Sequence, residues 1–202
     1  LHFSDGFAQI RNCERQYNFI DKDGKILSEQ WFNWADDFKD GFAVVKNEDY
    51  VCNFIDKNGK ILSKQWFEKA FDFNEGFAVV KKNSGLMNFI DAQGNYLLKE
   101  WFDRVGPFKA GLAKVQRSDK KYNYIGEDGK LLSDEWFVCV GYFIDGFAVV
   151  ERTNGECNFI DKNGKILSDE WFMYVYDFKD GFAVVKNEDC VYNFIDKNGK
   201  IL

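Results

Sequence analysis

Short apolar runs, each closed off by turn-forming residues, are the pattern of this chain from end to end. The run "GFAVVK" from Gly41 is rich in aromatic and β-branched residues and predicts a strand. A second run, "YVCNFID" from Tyr50, predicts another. Between "FID" and "KIL" lies "KNGK", an Asn-Gly turn in which Gly59 supplies the positive φ that a tight turn demands. A third strand is expected to start at Lys60 and run towards Trp66 and Phe67, followed by a connector that leads to the next Gly. No segment keeps a helical period, so the class is all-β.

The pattern repeats. Gly6, Gly41, Gly76, Gly111, Gly146 and Gly181 stand 35 residues apart, as do Asn18, Asn53, Asn88, Asn123, Asn158 and Asn193. Trp31, Trp66, Trp101, Trp136 and Trp171 keep the same interval. This predicts a single repeat array over 1–202, with units at approximately 1–35, 36–70, 71–105, 106–140, 141–175 and 176–202, the last incomplete. The expected architecture is tandem 35-residue units of three short antiparallel strands, stacked as an open superhelical β-solenoid. The alternative is a closed, six-bladed propeller-like ring, for which 35 residues is short against the ~40–45 of a WD40 blade. The chain opens with Leu1 rather than Met, as a processed piece or an excerpt of a longer array would.

Comparing the copies separates frame from variation. Ala8, Ala43, Ala78, Ala113, Ala148 and Ala183 never change, and Val or Ile follows two places on. The intervening column accepts Gln9 and Lys114, so one strand face is packed and the other reaches solvent in places. Phe3, Ile20, Leu27 and their equivalents read as core. The Trp column reads as a bulky anchor sealing unit to unit, with a sugar-stacking or amine-stacking platform as the functional alternative. The Asn column reads as a ladder bonding the backbone of the adjacent unit, against a repeated ligand contact. Trp34 shares its column with Lys69, Arg104, Cys139 and Tyr174, so it is expected to be exposed.

Composition then removes several functions. The net charge of −6 opposes a nucleic-acid partner. No apolar run is long enough to span a membrane, and no targeting signal is present in this segment. "DKDGK" at Asp21–Lys25 has too few ligands for a calcium loop and reads as a turn. Of Cys13, Cys52, Cys139, Cys157 and Cys190, only Cys52 and Cys157 share a column, where other copies carry Tyr or Met, so those two read as apolar fillers. An odd count without paired spacing is neither a disulfide framework nor a zinc site, in keeping with a reducing or anaerobic setting. His2 is the only histidine, which excludes hydrolytic triads and His-metal catalysis. Asp21 and Asp40 recur in most units, but several equivalent weak sites make a poor active centre. The expectation is a non-enzyme with no catalytic residue, metal or cofactor.

Those residues carry a resemblance. "GFAVVKNEDYVCNFIDKNGKIL" resembles the WG-type (WG/KWG β-hairpin) repeats of bacterial and phage proteins, with their Gly-[Leu/Phe]-Ala-x-Val strand, aromatic-Ile-Asp strand and Gly turn. One departure is clear: Asn-Phe stands where the eponymous Trp-Gly would precede Ile-Asp, or Asn-Tyr at Asn123. The resemblance implies an all-β array tied to interaction roles and a bacterial or phage origin, cytoplasmic or surface-associated. It offers no catalytic residue.

Function is expected where the copies differ. The connectors read "NWADDF", "EKAFDF", "DRVGPF", "VCVGYF" and "MYVYDF". Their third residue is always Ala or Val and their last always Phe, while the other positions vary. Trp34, Phe71, Arg104, Tyr142, Tyr174 and Tyr176 make this edge the candidate binding surface of a protein-interaction scaffold. A glycan or cell-wall module with several similar weak sites, and a purely structural spacer, are the alternatives.

Overall fold

The computed structural model of the chain describes residues 2–202. Its strands come in threes. They are β1 (Phe3–Ser4), β2 (Phe7–Arg11) and β3 (Tyr17–Ile20); β4 (Trp34–Ala35), β5 (Phe42–Lys46) and β6 (Cys52–Asp56); and β7 (Lys69–Asn74), β8 (Phe77–Lys81) and β9 (Met87–Asp91). Then follow β10 (Arg104–Val105), β11 (Leu112–Gln116) and β12 (Tyr122–Gly126); β13 (Cys139–Val140), β14 (Phe147–Glu151) and β15 (Cys157–Asp161); and β16 (Tyr174–Val175), β17 (Phe182–Lys186) and β18 (Tyr192–Asp196). Each set of three forms one sheet in sequence order, and in the first, second, third, fifth and sixth sheets the neighbours pair antiparallel. No helix occurs among the described residues, and none of the six sheets closes on itself. The chain divides into two compact units, Leu1–Ala113 and Lys114–Leu202, with the division inside β11.

Two glycine turns recur in the copies, beside the Asn47–Val51 turn that joins second to third strand. Between first and second strands lies a two-residue hairpin. Asp40 (φ 52°) and Gly41 (φ 90°) are both left-handed, and Lys39 and Phe42 exchange backbone hydrogen bonds. This is the geometry that suits right-twisted strands and favours Asp-Gly. After the third strand, Gly59 has φ 80° as its sequence predicts, and its N–H donates to the Asp56 carbonyl at 3.0 Å. The Asp56 carboxylate accepts the N–H groups of Asn58 and Lys60, both at 2.9 Å. The Asp of "FID" is therefore a turn former. A Cβ on Gly59 would lie 2.2 Å from the Leu27 carbonyl oxygen of the preceding copy, and one on Gly94 would lie 2.4 Å from that of Leu62. These glycines are required by contact between copies as well as by φ.

The third strand of each sheet does not come from the segment expected to supply it. The run from Lys60 makes an isolated bridge, Ile55 to Ile61, leaves the sheet in a turn, and returns only for a second bridge, Cys52 to Phe67. The reason is Asn53. Its side-chain N–H2 donates to the carbonyls of Ser63 (2.8 Å) and Gln65 (3.2 Å), and its Oδ1 accepts the N–H groups of Phe54 and Ser63. These bonds hold the polar Ser63–Gln65 segment as a turn against the sheet. Asn18, Asn88, Asn123 and Asn158 do the same, and all five are fully buried or within 1 % of it. So the expected ladder between neighbouring units is corrected: each Asn pins the backbone of its own copy. The connector supplies the missing strand.

Cores form where one sheet packs on the next. The Ala and Val column faces the preceding sheet: Ala43, Val45 and Ile55 pack with Phe19, Phe32 and Phe38, and Ala78, Val80 and Ile90 with Val44, Phe54 and Phe73. The joint is a set of three rings. The last Phe of a connector wedges between the two Phe residues of the sheet before it, except Phe143, which meets Tyr124 at 5.0 Å where the other copies have Phe. Phe38 lies 4.8 Å from both Phe7 and Phe19, and Phe73 lies 4.3 Å from Phe42 and 5.1 Å from Phe54. In the second unit, Phe178 meets Phe147 and Phe159 at 4.8 and 4.9 Å. Phe3, expected in the core, is 48 % exposed, since the described residues hold no earlier pair of rings for it to enter.

The tryptophans do touch the preceding copy, Trp66 and Trp101 on its core clusters and Trp171 on Phe137, but they are not the most deeply buried residues of the joint. The column is half-buried, and the fully buried anchor is the Phe that follows it: Phe32, Phe67, Phe137 and Phe172 are each within 1 % of complete burial. That Phe bridges to the third strand of its own sheet, as Phe67 does with Cys52, which turns its side chain inward.

Candidate functional site

The connectors lie along one edge of the sheets because each contributes the first, outermost strand. Pairing of Ala35 with Val45 and of Val175 with Val185 buries the small third residue of the connector against the sheet. The flanking positions are left outside. Five of these edge strands have two residues, while β7 has six. In β7, Lys69 and Ala70 pair with Lys81 and Val80, and Phe73 and Asn74 pair with Ala78 and Phe77, with a bulge between Ala70 and Phe73. The bulge carries Phe71 and Asp72 out of register.

In the first unit this edge holds two adjoining grooves. One, of about 270 Å³, runs from Trp34, Val44, Lys46 and Cys52 to Ala70 and Phe71. The other, of about 240 Å³, is bounded by Phe71, Val79, Met87, Phe89, Val105 and Pro107. Phe71 and Asp72 belong to both. Phe71 is 49 % exposed, and Asp72 is paired with Lys39 at 3.0 Å. Trp34 is corrected from exposed to partly buried. It packs on the cluster around Val44 and Cys52, and the Lys46 ammonium sits 5.0 Å from its ring centre. Arg104 is exposed on β10, outside both grooves.

In the second unit, Tyr174 and Tyr176 are half-exposed with their rings edge-to-face at 5.0 Å. Tyr142, at 80 %, is the most open of the candidates. Beneath it the copies depart most from one another. Tyr124 stands in the Phe column and its hydroxyl donates to the Gly141 carbonyl, and burial raises its pKa. Lys114 stands in a Val column. Burial lowers its pKa, while its ammonium donates to the Val140 carbonyl at 2.7 Å and lies 4.5 Å from the Tyr122 ring centre. Cys157, on β15 of the next sheet, is pushed up to about 11 by burial and then by Glu151.

One arrangement was not anticipated from the sequence. Lys82, Arg117 and Arg152 each lie over the Trp found 19 residues later, at 3.7, 4.6 and 3.5 Å. Arg152 also holds Glu135 through two hydrogen bonds of 2.8 and 2.9 Å. A recurring cation 19 positions before each of three tryptophans was the available signal. These cations occupy ring faces that a sugar would need. No cluster able to hold a metal ion is present among the described residues, and no helix is long and apolar enough to cross a membrane.

With this geometry established, the family follows. The model of the WG-containing repeat matches residues 19–50, 54–85, 89–122 and 159–189, more than half of the chain. The chain belongs to the WG-containing repeat family. All four matches begin at the Phe that follows the pinning Asn, and the stretch between 123 and 158, with Tyr124, Gly126, Cys139 and Gly141, is left unmatched. No curated protein matches significantly. Among solved structures the chain is similar to the computationally designed Ika8 protein, at 18 % identity and a TM-score of 0.40, covering 100 % of this chain and 72 % of that one. BamB from Moraxella catarrhalis is similar at 12 % identity and a TM-score of 0.35, covering 99 % and 73 %. The WD40 β-propeller domain of Doa1 gives 12 % and 0.36, covering 100 % and 79 %. Likeness at this level extends neither to function nor to ring closure.

Proposed function

We propose that this WG-repeat array is a non-catalytic scaffold that binds a protein partner through its connector edge. The observation that carries this reading is Phe71: an aromatic ring half in solvent, at a freely varying position, between two grooves each large enough for a side chain. Exposed aromatics beside preformed clefts are favoured anchors of protein interfaces. The frame residues beneath are constant, so each copy offers a different contact from the same platform. The Tyr174–Tyr176 pair favours a second reading as a glycan platform in the second unit. Against it stand the cations covering three of the tryptophans.

Selection of a displayed library of protein fragments, run beside a glycan panel, tests the reading. A Phe71→Ser/Tyr142→Ser/Tyr174→Ser/Tyr176→Ser variant serves as the control. Fragments that bind the native chain and lose the variant are the expected outcome. Saccharide binding that the variant loses, without fragment binding, would replace the scaffold by a lectin-like module.

A further inference from the structure

We infer that the outer edge of β7 takes an extended segment of a protein partner as an added strand, and that this segment carries apolar side chains flanked by acidic ones. The inference rests on the interaction reading above and specifies how the partner is held. Its first ground is the edge itself. Among the described residues β7 is hydrogen-bonded only to β8, so its other side presents open backbone groups. The other five first strands have two residues each, whereas β7 offers two paired steps, Lys69–Ala70 and Phe73–Asn74, on either side of its bulge.

The second ground is what lies on either side of that edge. The groove lined by Val44, Lys46 and Cys52 belongs to the face of the third sheet that carries Ala70 and Val80. The groove lined by Val79, Met87 and Phe89 belongs to the opposite face. Successive residues of a strand point to opposite faces of its sheet. A strand laid along β7 therefore aims one side chain into each groove in turn, with Phe71 between them. Two clefts on opposite faces of one long edge suit an extended segment better than a helix, which would fill only one.

Charge sets the rest of the motif. Asp72 is neutralised by Lys39 at 3.0 Å and Glu68 by Lys81 at 2.9 Å. Lys69, exposed at the start of β7, and Arg104, exposed on the next connector, close no ion pair among the described residues. The remaining open carboxylate of the grooves is Asp36, whose Oδ1 accepts the Asp37 N–H. Against this one open groove carboxylate stand the two unpaired cations, Lys69 and Arg104, in a chain of net charge −6, and carboxylates of a partner complement them.

The experiment is a selection of random twelve-residue peptides on the whole chain, with the best synthesised and titrated by fluorescence anisotropy. N-methylation at every second peptide residue should weaken binding at least tenfold, while methylation at the intervening residues leaves it within about twofold. Lys69→Glu should cost acidic peptides at least fivefold, and Phe71→Ser a similar loss, with both variants retaining the native circular dichroism spectrum. Peptides indifferent to N-methylation, or bound through Tyr174 and Tyr176 and unaffected by Lys69→Glu, would overturn strand addition and leave the scaffold reading standing. Failure to enrich any peptide would also overturn it, since the fragment selection judges the broader reading separately.

Discussion

Phe71 and Phe73 are the same side chain two positions apart on one strand, yet Phe71 is 49 % exposed and Phe73 only 5 %. In a regular strand, residues i and i+2 share a face and would share an environment. The bulge between Ala70 and Phe73 separates them. Phe73 enters the joint formed by Phe42 and Phe54, while Phe71 is carried to the rim of two grooves. The difference teaches that frame and candidate site are interleaved residue by residue in this protein. What divides them is backbone register.

The sharpest way to break the comparison is to truncate both rings. Phe73→Ala should cost ~3–5 kcal/mol in urea unfolding, as a buried aromatic with two ring partners does. Phe71→Ala should stay within ~0.5 kcal/mol, as an exposed residue does. Equal losses would mean that the bulge does not separate the two. The buried Asn comes next. Asn53→Ala leaves the Ser63 and Gln65 carbonyls and the Phe54 N–H without their partner, at ~2–3 kcal/mol. Amide exchange across residues 61–66 should accelerate most, because that segment is what Asn53 holds in place.

A pair of glycines tests contact against conformation. Both Gly24 and Gly59 have positive φ, but a Cβ on Gly24 meets nothing within 4 Å, whereas one on Gly59 meets the Leu27 carbonyl. Gly24→Ala should cost ~1 kcal/mol from φ alone, and Gly59→Ala at least about twice that. Equal costs in denaturant titrations would remove the close approach between copies as a reason for the Gly.

The smallest expected effect is a pH dependence. The Cys157 thiol is raised from 9.0 to about 11 in the folded chain, so folding favours its neutral form. The stability this contributes is complete below about pH 9 and is lost as pH rises through about 11. Lys114 acts in the opposite sense: burial lowers its pKa from 10.5, so deprotonation with rising pH relieves an unfavourable buried charge. Subtracting a Cys157→Ala variant, measured by urea midpoints between pH 8 and 11, isolates the thiol. A flat difference would contradict the assignment.

Much of the frame was legible because a repeat reports its own constraints. The invariant Ala column, the "FID" turn and the terminal Phe of each connector lie where their constancy implies they should. The third strand was not legible. The polar Ser63–Gln65 stretch follows an apolar start, and nothing local says that an Asn ten residues earlier will turn it off the sheet. Asp40-Gly41 was not legible as a turn, only as the end of a connector; the structure makes it a two-residue hairpin, so the connector before it is a strand rather than a loop. At the candidate site, the sequence singled out Phe71, Tyr142, Tyr174 and Tyr176 as variable aromatics, and these are exposed. It did not distinguish them from Trp34, which lies in the same edge but leans on Val44 and Cys52.

The sequence by itself determined the period, the all-β class, the turn glycines and the division into constant and variable columns. All of these depend on local propensity or on comparing one copy with the next, and both are written along the chain. The tertiary structure decided which segment completes each sheet, which aromatic of each Trp-Phe pair is buried, and that β7 bulges. Those outcomes depend on long-range partners, the Asn side chain reaching across its copy and the ring pair of the preceding sheet. No window of sequence places such partners side by side.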